Sequence, residues 1–350
     1  MLRSRGFSHG ECGLTYGKTA ILSRRRPMAR VSRRDFLTTS AGALVAVGAP
    51  RIGHAQTAVK VGTAVLGDYA LAGPFIVAER KGFFKIEGLE AEFVPFRGGP
   101  NLVKAVIAGE ILLGAAGATD ILVFREAGMP LKMVATQTEG NHFTLNVAPD
   151  VQSVADLKGK AIGVTSVGAT TWVFARLVAK QQGWDPDRDV KIVGLGGLDA
   201  QLAALTRKEI HAYVWGDGGA VTQLAGKSKV LMRLDAVTPQ WISQIQYVSE
   251  DGIKKNADHI RKVQKAIFSA ARFMKDQPSE AAKIVAAKIG WNPEAVLAAH
   301  KISSPLFSLD GQVSMQALGS MQEVLLEQGV IKKKLPLEEH VAREFFPVRL

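Results

Sequence analysis

The fold of this 350-residue chain is predicted from one stretch, Gly163-Val164-Thr165-Ser166-Val167-Gly168-Ala169-Thr170-Thr171. An apolar run over 160–165 predicts a strand, and helical spacing over 169–182 predicts the helix that follows it. The small residues between the two indicate a tight loop. Unpaired N–H groups at the start of such a helix favour an anion or another polar ligand. The hydroxyls of Ser166 and Thr170 would either bind that ligand or simply cap the helix.

The same strand-to-helix design occurs twice more, earlier in the chain. Gly114-Ala115-Ala116-Gly117-Ala118-Thr119-Asp120 leads into a helix predicted over 120–127, which Asp120 would cap. Arg97-Gly98-Gly99-Pro100-Asn101 leads into a helix predicted over 101–108, with a proline suited to the first turn. Ligands of α/β sheets bind outside the carboxyl ends of the strands. The three junctions are therefore expected to meet at one binding place.

The pattern along the rest of the chain is typical of an α/β protein with a largely parallel sheet. Apolar runs of strand length alternate with helical spacing from residue 59 to residue 234, in two successive series. From residue 258 to residue 328 the spacing is helical, with proline and glycine between the segments. We therefore expect two α/β lobes and a helical C-terminal part. The further strands are predicted over 59–65, 89–96, 111–115, 131–136, 190–193, 212–215 and 229–234.

The net charge of +12 lies mostly in residues 1–55, the leader. The leader holds 10 of the 44 Lys and Arg residues and two of the 32 Asp and Glu residues, so the remaining 295 residues carry 34 basic against 30 acidic residues. Because this body is nearly balanced, nucleic acid is not expected as a partner. The single cysteine, Cys12, lies in the leader, so no disulfide or thiolate metal site is expected in the body.

The leader has the parts of a twin-arginine export signal in the right order. Ser32-Arg33-Arg34-Asp35-Phe36-Leu37 carries the arginine pair, a short apolar stretch follows over 41–49, and Gly53-His54-Ala55 has small residues suited to a cleavage site. The apolar stretch is too short to span a bilayer. Met28 is expected to be the true start, because residues 1–27 have no place in such a signal. We therefore expect a periplasmic protein.

Several kinds of catalytic and cofactor site are not expected. Gly194-Leu195-Gly196-Gly197-Leu198-Asp199 follows a strand, but a dinucleotide fingerprint needs Gly or Ala where Asp199 stands. Asp199 is expected to cap the next helix instead. The histidines of the body show no ligand spacing with a nearby acid, so no metal site is expected. With no nucleophile elbow or phosphate-binding loop in the sequence, no catalytic residue and no cofactor are predicted.

Two motifs of the body are Lys81-Gly82-Phe83-Phe84-Lys85-Ile86-Glu87-Gly88-Leu89-Glu90 and Val154-Ala155-Asp156-Leu157-Lys158-Gly159-Lys160. Both resemble motifs of periplasmic solute-binding proteins of ABC transporters, of the nitrate, sulfonate, taurine and thiamine-pyrimidine-precursor type. The resemblance, which runs over most of the body, implies the type II architecture with a cleft between two lobes. Lobe one would hold residues 57–142 plus 247–350 and lobe two residues 143–246, with chain crossings near His142 and Gln246.

The resemblance also implies which residues line the cleft. Arg97 would hold an acidic group, Tyr69 and Trp215 would pack on the ligand, and Gly168 would let it approach the backbone. The loop Gly216-Asp217-Gly218-Gly219 departs from the Trp-Asp-Pro-like segment of many relatives, which indicates a reshaped loop. The candidate ligand-binding residues are Asp68, Tyr69, Arg97, Gly98, Asn101, Thr119, Asp120, Asn141, His142, Ser166, Gly168, Ala169, Thr170, Trp215 and Asp217.

The function that the resemblance implies is non-enzymatic. The protein would be the periplasmic substrate-binding component of an ABC importer, a monomer that captures a small organic solute, acidic and aromatic or sulfonate-like, and delivers it to a membrane permease. Two alternatives stay open. One is a pyrimidine-precursor synthesis enzyme of the same fold, for which a Schiff base would need a lysine in the cleft. The other is a ligand sensor for a signalling partner.

Overall fold

Strands and helices alternate along residues 56–350, the part of the chain that the computed structural model describes. In this part no helix is both long and apolar enough to cross a membrane. The strands are β1 (Thr57–Thr63), β2 (Leu89–Pro95), β3 (Leu113–Gly117), β4 (Leu131–Glu139), β5 (Thr144–Val147), β6 (Ala161–Val164), β7 (Lys191–Gly194), β8 (Ala212–Trp215), β9 (Lys229–Arg233) and β10 (Ile242–Ser249). The α-helices are α1 (Tyr69–Lys81), α2 (Phe83–Ile86), α3 (Gly99–Ile107), α4 (Thr119–Glu126), α5 (Thr170–Gln181), α6 (Leu198–Thr206), α7 (Gly218–Leu224), α8 (Glu250–Asp276), α9 (Pro278–Ile289), α10 (Pro293–Ser303) and α11 (Met315–Glu327).

These strands form two sheets of the same design. The first sheet has the order β2-β1-β3-β10-β4, and the second has the order β7-β6-β8-β5-β9. In each sheet one strand, β10 or β5, pairs antiparallel with both neighbours, and the other pairings are parallel. The prediction of two largely parallel α/β halves is therefore confirmed.

The two antiparallel strands are also the two that the sequence analysis missed. β10 carries Ser243, Gln244 and Gln246, yet all eight of its residues are buried. Its polar side chains are buried because other parts of the chain supply partners, and a sequence pattern does not show those partners. β10 belongs to the first sheet, where Gln246 pairs with Ala115. The second crossing therefore precedes Ile242, earlier than the predicted position near Gln246.

Helix α1 begins at Tyr69 and contains a proline. Pro74 has no N–H to donate to the carbonyl of Ala70, a loss that destabilises a helix interior. The side chain of Gln137, on β4, supplies the missing donor: its Nε2 lies 2.8 Å from the Ala70 carbonyl oxygen and 2.9 Å from that of Leu71. The first turn of α1 is thereby held against the first sheet, beside the gap between the two sheets.

The helical C-terminal part packs mainly on the first half of the molecule. Helix α8 contacts α1, α2 and β10, and α9 contacts α1. Helix α10 also contacts α7, which follows strand β8 of the second sheet. Ser153 forms a capping box at the 3-10 helix Val154–Leu157. Asp199 and Asp120 cap no helix, so those two expectations are wrong. The predicted export signal lies outside the described residues.

Candidate functional site

A cavity lies between the two sheets, at the carboxyl ends of their parallel strands. About 430 Å³ in and around it, open solvent included, is not filled by protein atoms. Both halves contribute to its wall, because Ala64 follows β1 and Thr165 follows β6. This is the position where ligands bind in α/β sheets. The cavity is lined by Ala64, Val65, Asp68, Leu71, Gly99, Gly117, Asp120, Phe143, Thr165, Ala169, Thr170, Thr171, Trp215, Gly216 and Gln244.

The three junctions singled out in the sequence meet at this cavity. Gly99, Gly117 and Thr171 each border it, and each comes from a different junction. Their predicted convergence is therefore confirmed. Of the candidate ligand-binding residues, the fold brings five to the wall: Asp68, Asp120, Ala169, Thr170 and Trp215.

Several other candidates lie away from the wall. Arg97 and Asn101 are exposed, and Asn101 Nδ2 lies 3.4 Å from the backbone oxygen of Arg97. Gly98 and Ser166 are neighbours across the gap, since a Cβ built on Gly98 would lie 2.6 Å from Ser166 Oγ. Gly168 has φ 82°, and nothing lies within 4 Å of a Cβ built there. A left-handed backbone, rather than close approach of a ligand, explains this glycine.

Asn141 and Tyr69 are held by other parts of the protein. Asn141 Nδ2 donates to the carbonyl of Leu234 at 3.0 Å and lies 2.7 Å from Thr238 Oγ1, which ties the two crossing segments together. The Tyr69 hydroxyl lies 3.0 Å from His300 Nδ1 on α10. Neither side chain borders the cavity in the described structure.

Asp217 and Trp215, at the end of β8, join the second sheet to the first half. Asp217 Oδ1 accepts from the backbone N–H of Tyr69 at 2.9 Å, and its Oδ2 accepts from that of Ala70 at 2.8 Å. Ser303 Oγ lies 2.6 Å from the same Oδ2. Trp215 Nε1 donates to the carbonyl of Gly67 at 3.0 Å. These contacts hold the start of α1 against the loop that follows β8.

Asp68 and His142 form a buried pair at one end of the cavity. Asp68 caps α1 by accepting from the N–H of Leu71 at 3.0 Å, and its Oδ2 lies 3.3 Å from His142 Nε2. Burial alone would raise the pKa of Asp68 and lower that of His142, but each charge stabilises the other. The net result is a lowered pKa for Asp68 and a raised pKa for His142. Asp68 is therefore already paired with a side chain of the protein.

Asp68, His142 and Asp217 place three possible metal-ligand atoms within 4.8 Å of one another. The three residues lie far apart in the sequence, so spacing along the chain does not reveal the group. Hydrogen bonds already occupy these carboxylates: Gln244 Nε2 donates to Asp68 Oδ1 at 3.0 Å, in addition to the amide bonds described above. Burial and the Asp68 carboxylate raise the pKa of Asp217 to about 7. We interpret the group as a network that joins the two halves.

Asp120 differs from the other two carboxyl groups because it has no partner. It is 1% exposed, and within the described residues no donor reaches its Oδ2. Gly99 packs against the carboxyl group, since a Cβ there would overlap Asp120 Oδ2. Burial raises the pKa of Asp120 to about 8. The carboxyl group of Asp120 therefore lies at the cavity wall, and its Oδ2 accepts no hydrogen bond within the described residues.

The two halves also touch at Thr119 and Thr170, whose hydroxyls form a hydrogen bond. Thr170 starts α5, and its Oγ1 would overlap a Cβ on Gly117. The N-cap of α5 is Ala169, with no side-chain cap, so the hydroxyls of this junction are not plain helix caps. Gln244 is the clearest wall residue that sequence reasoning missed, and recognising β10 as a strand would have been the signal for it.

Comparison with known proteins agrees with this architecture. The family model described as NMT1/THI5 like matches residues 71–281. The chain belongs to the NMT1/THI5-like family. A Brucella abortus protein named as a binding protein is 24% identical over 328 residues, 91% of this chain and all of that protein. The taurine-binding periplasmic protein of Escherichia coli is 28% identical over 193 residues, 54% of this chain and 58% of that one.

Solved structures place this NMT1/THI5-like chain in the periplasmic-binding-protein fold. A protein from Bordetella bronchiseptica has a TM-score of 0.72 at 20% identity, over 83% of this chain and 95% of that one. The alkanesulfonate-binding protein of Xanthomonas axonopodis pv. citri, solved with MOPS bound, has a TM-score of 0.69 at 20% identity, over 82% and 98%. The predicted resemblance and fold class are thereby confirmed.

Proposed function

We propose that the protein is the periplasmic substrate-binding component of an ABC-type importer. It would capture a small organic solute in the cavity between the sheets and deliver it to a membrane permease. The observation that carries the proposal is a cavity whose wall comes from both halves of the molecule, which are joined by the hydrogen bonds that Asp217 accepts. The names of the binding proteins that resemble this chain support the same role.

Closure of two lobes would couple binding to delivery. We take residues 57–142 plus 242–350 as lobe one and residues 143–241 as lobe two, because β10 belongs to the first sheet. A ligand that touches both lobes binds the closed form better and shifts the population toward it. Thr170 and Trp215 on one side, and Asp120 on the other, are the residues we propose to contact the ligand.

The ligand would be small and partly apolar. Leu71, Phe143 and Trp215 supply apolar wall, and Trp215 can pack against a ring. The expectation of an acidic ligand rested partly on Arg97, which is exposed. The remaining support for an acidic group is the start of α5, which borders the cavity without a side-chain cap.

A non-enzymatic role is part of the proposal. Among the described residues that line the cavity, no lysine is present to form a Schiff base with a cofactor, as the pyrimidine-synthesis alternative would need. We also propose that the protein is exported to the periplasm, in keeping with the relative named as periplasmic. We propose in addition that it is a monomer.

The proposal is tested by mass spectrometry of small molecules released from purified protein, followed by small-angle scattering with the identified solute. We expect one solute per chain and a smaller radius of gyration at saturation. Turnover of the solute would favour the enzyme alternative, and no binding to any of a broad solute panel would contradict the proposed function.

A further inference from the structure

We propose that the ligand carries a positively charged nitrogen, an ammonium or amidinium group, that pairs with the carboxylate of Asp120. This inference rests on the proposed function and specifies the chemistry of its ligand. It starts from the carboxyl group at the cavity wall that the fold leaves without a partner.

The charges of the wall point to a cation. In the described structure the ionisable side chains that line the cavity are Asp68 and Asp120, and no Lys, Arg or His is among the lining residues. Asp68 is used inside the protein: it caps α1, accepts from Gln244 and faces His142. Asp120 has no such partner. An acidic ligand group beside it would meet a like charge or a desolvated acid.

The position of Asp120 has the properties of a prepared site. The residue is 1% exposed, and its Oδ2 has no hydrogen-bond partner among the described residues. Gly99 has no side chain, and the carboxyl group of Asp120 occupies the space that a Cβ there would take. The Tyr247 hydroxyl is also buried without a partner, and the Asp120 charge, after burial, raises the pKa of Tyr247. A buried acceptor without a donor is costly, so a ligand N–H that reaches it would relieve that cost.

One helix end on this side, the start of α1, already has its acceptors within the protein. Asp217 accepts from the N–H groups of Tyr69 and Ala70, and Asp68 accepts from that of Leu71. The first turn of α1 therefore offers no amide to a ligand. An acidic group of the ligand would lie on the α5 side, across the cavity from α1. The carboxyl group of Asp120 is left for the cationic nitrogen.

Three probes of the same shape test the charge directly: benzamidine, which is a cation, benzamide, which is neutral, and benzoate, which is an anion. Calorimetry with the full mature chain should show benzamidine binding about a hundredfold more tightly than benzamide, the scale expected for a buried charge pair. Asp120→Asn keeps the shape but removes the charge, and it should abolish this preference. Asp199→Asn, a matched change at an exposed residue of α6, should keep it.

Other results would overturn the inference. Benzamide or benzoate binding as tightly as benzamidine would do so, and so would an unchanged preference in folded Asp120→Asn. If none of the three probes binds, mass spectrometry of the solute released from the same preparations decides: a solute with a basic nitrogen supports the inference, and a solute without one overturns it. If no solute is released and none from the panel binds, the proposed function fails, and this inference fails with it.

Discussion

Asp217 accepts a hydrogen bond from the backbone N–H of Tyr69 at 2.9 Å, although 148 residues separate them. The carboxylate of one half thus serves the first turn of a helix in the other half. A helix N-terminus stabilises a negative charge, and its first amides need acceptors that the helix does not supply. The first N–H groups of α1 therefore have their acceptors only when the two halves are together.

We expect Asp217→Ala to weaken the contact between the halves without unfolding either sheet. The change removes charged acceptors from two buried amides, which costs roughly 1.5–3 kcal/mol per bond to a charged group. Small-angle scattering should show a larger radius of gyration for the ligand-free variant, and calorimetry a weaker affinity for the solute. Asp235→Ala, at a half-exposed residue paired with Arg233, is the control and should change neither. An unchanged radius for Asp217→Ala would contradict the role of this contact.

Gly117→Ala should separate the halves because the added methyl group is too large for the contact between them. In Asp217→Ala, by contrast, the cause is the loss of hydrogen bonds. A Cβ on Gly117 would overlap Thr170 Oγ1, and Thr170 belongs to the other half. Separation of the halves relieves the overlap, so the variant should stay folded but bind the solute more weakly and scatter as a larger particle. Gly197→Ala, where nothing lies within 4 Å of the added carbon, is the matched control. Equal affinity in both variants would show that the halves do not approach as described.

The stability of the ligand-free protein should fall between about pH 4 and pH 8, in part because of Asp120. Burial raises the pKa of Asp120 to about 8 from its ordinary value of 3.8. The folded state therefore binds this proton more tightly than the unfolded state, and the free energy of unfolding decreases as pH rises through that range. Asp120→Asn should flatten this part of the profile and raise the melting temperature at pH 8 relative to wild type. Urea denaturation at pH 5 and pH 8 measures the free energy of unfolding, and thermal denaturation at pH 8 measures the melting temperature. Parallel pH profiles for the two proteins would contradict the prediction.

The export prediction concerns residues outside the described part of the chain. Changing Arg33 and Arg34 to lysine should leave the precursor in the cytoplasm, because the arginine pair is the recognition element of the predicted signal. Cell fractionation with an antibody against the body measures this. Normal accumulation of the variant in the periplasm would rule out the twin-arginine route, whereas lysine substitutions at Arg24 and Arg25 serve as the control.

Most helices and eight strands could be predicted because their signal is local. Gly163–Thr171 contains a strand end, a small-residue loop and a helix start in one run, and β6 ends and α5 begins there. The sequence does not predict β10 because its buried polar side chains interrupt the alternating pattern, and it does not predict β5 because that strand has only 4 residues. Gln244 shows the reason: its amide is satisfied by Thr138 Oγ1 and by Asp68, which lie far away in the sequence.

The α/β class and the family resemblance could be predicted from the sequence alone. So could the convergence of the three junctions, because strand-to-helix turns lie at the same edge of a parallel sheet. Which of the candidate residues line the cavity depends on the tertiary structure. It separated three aspartates that look alike in the sequence: Asp217 completes a helix of the other half, Asp68 pairs with His142, and Asp120 is left without a partner. The difference depends on distances and burial between residues far apart in the chain, which no local pattern contains.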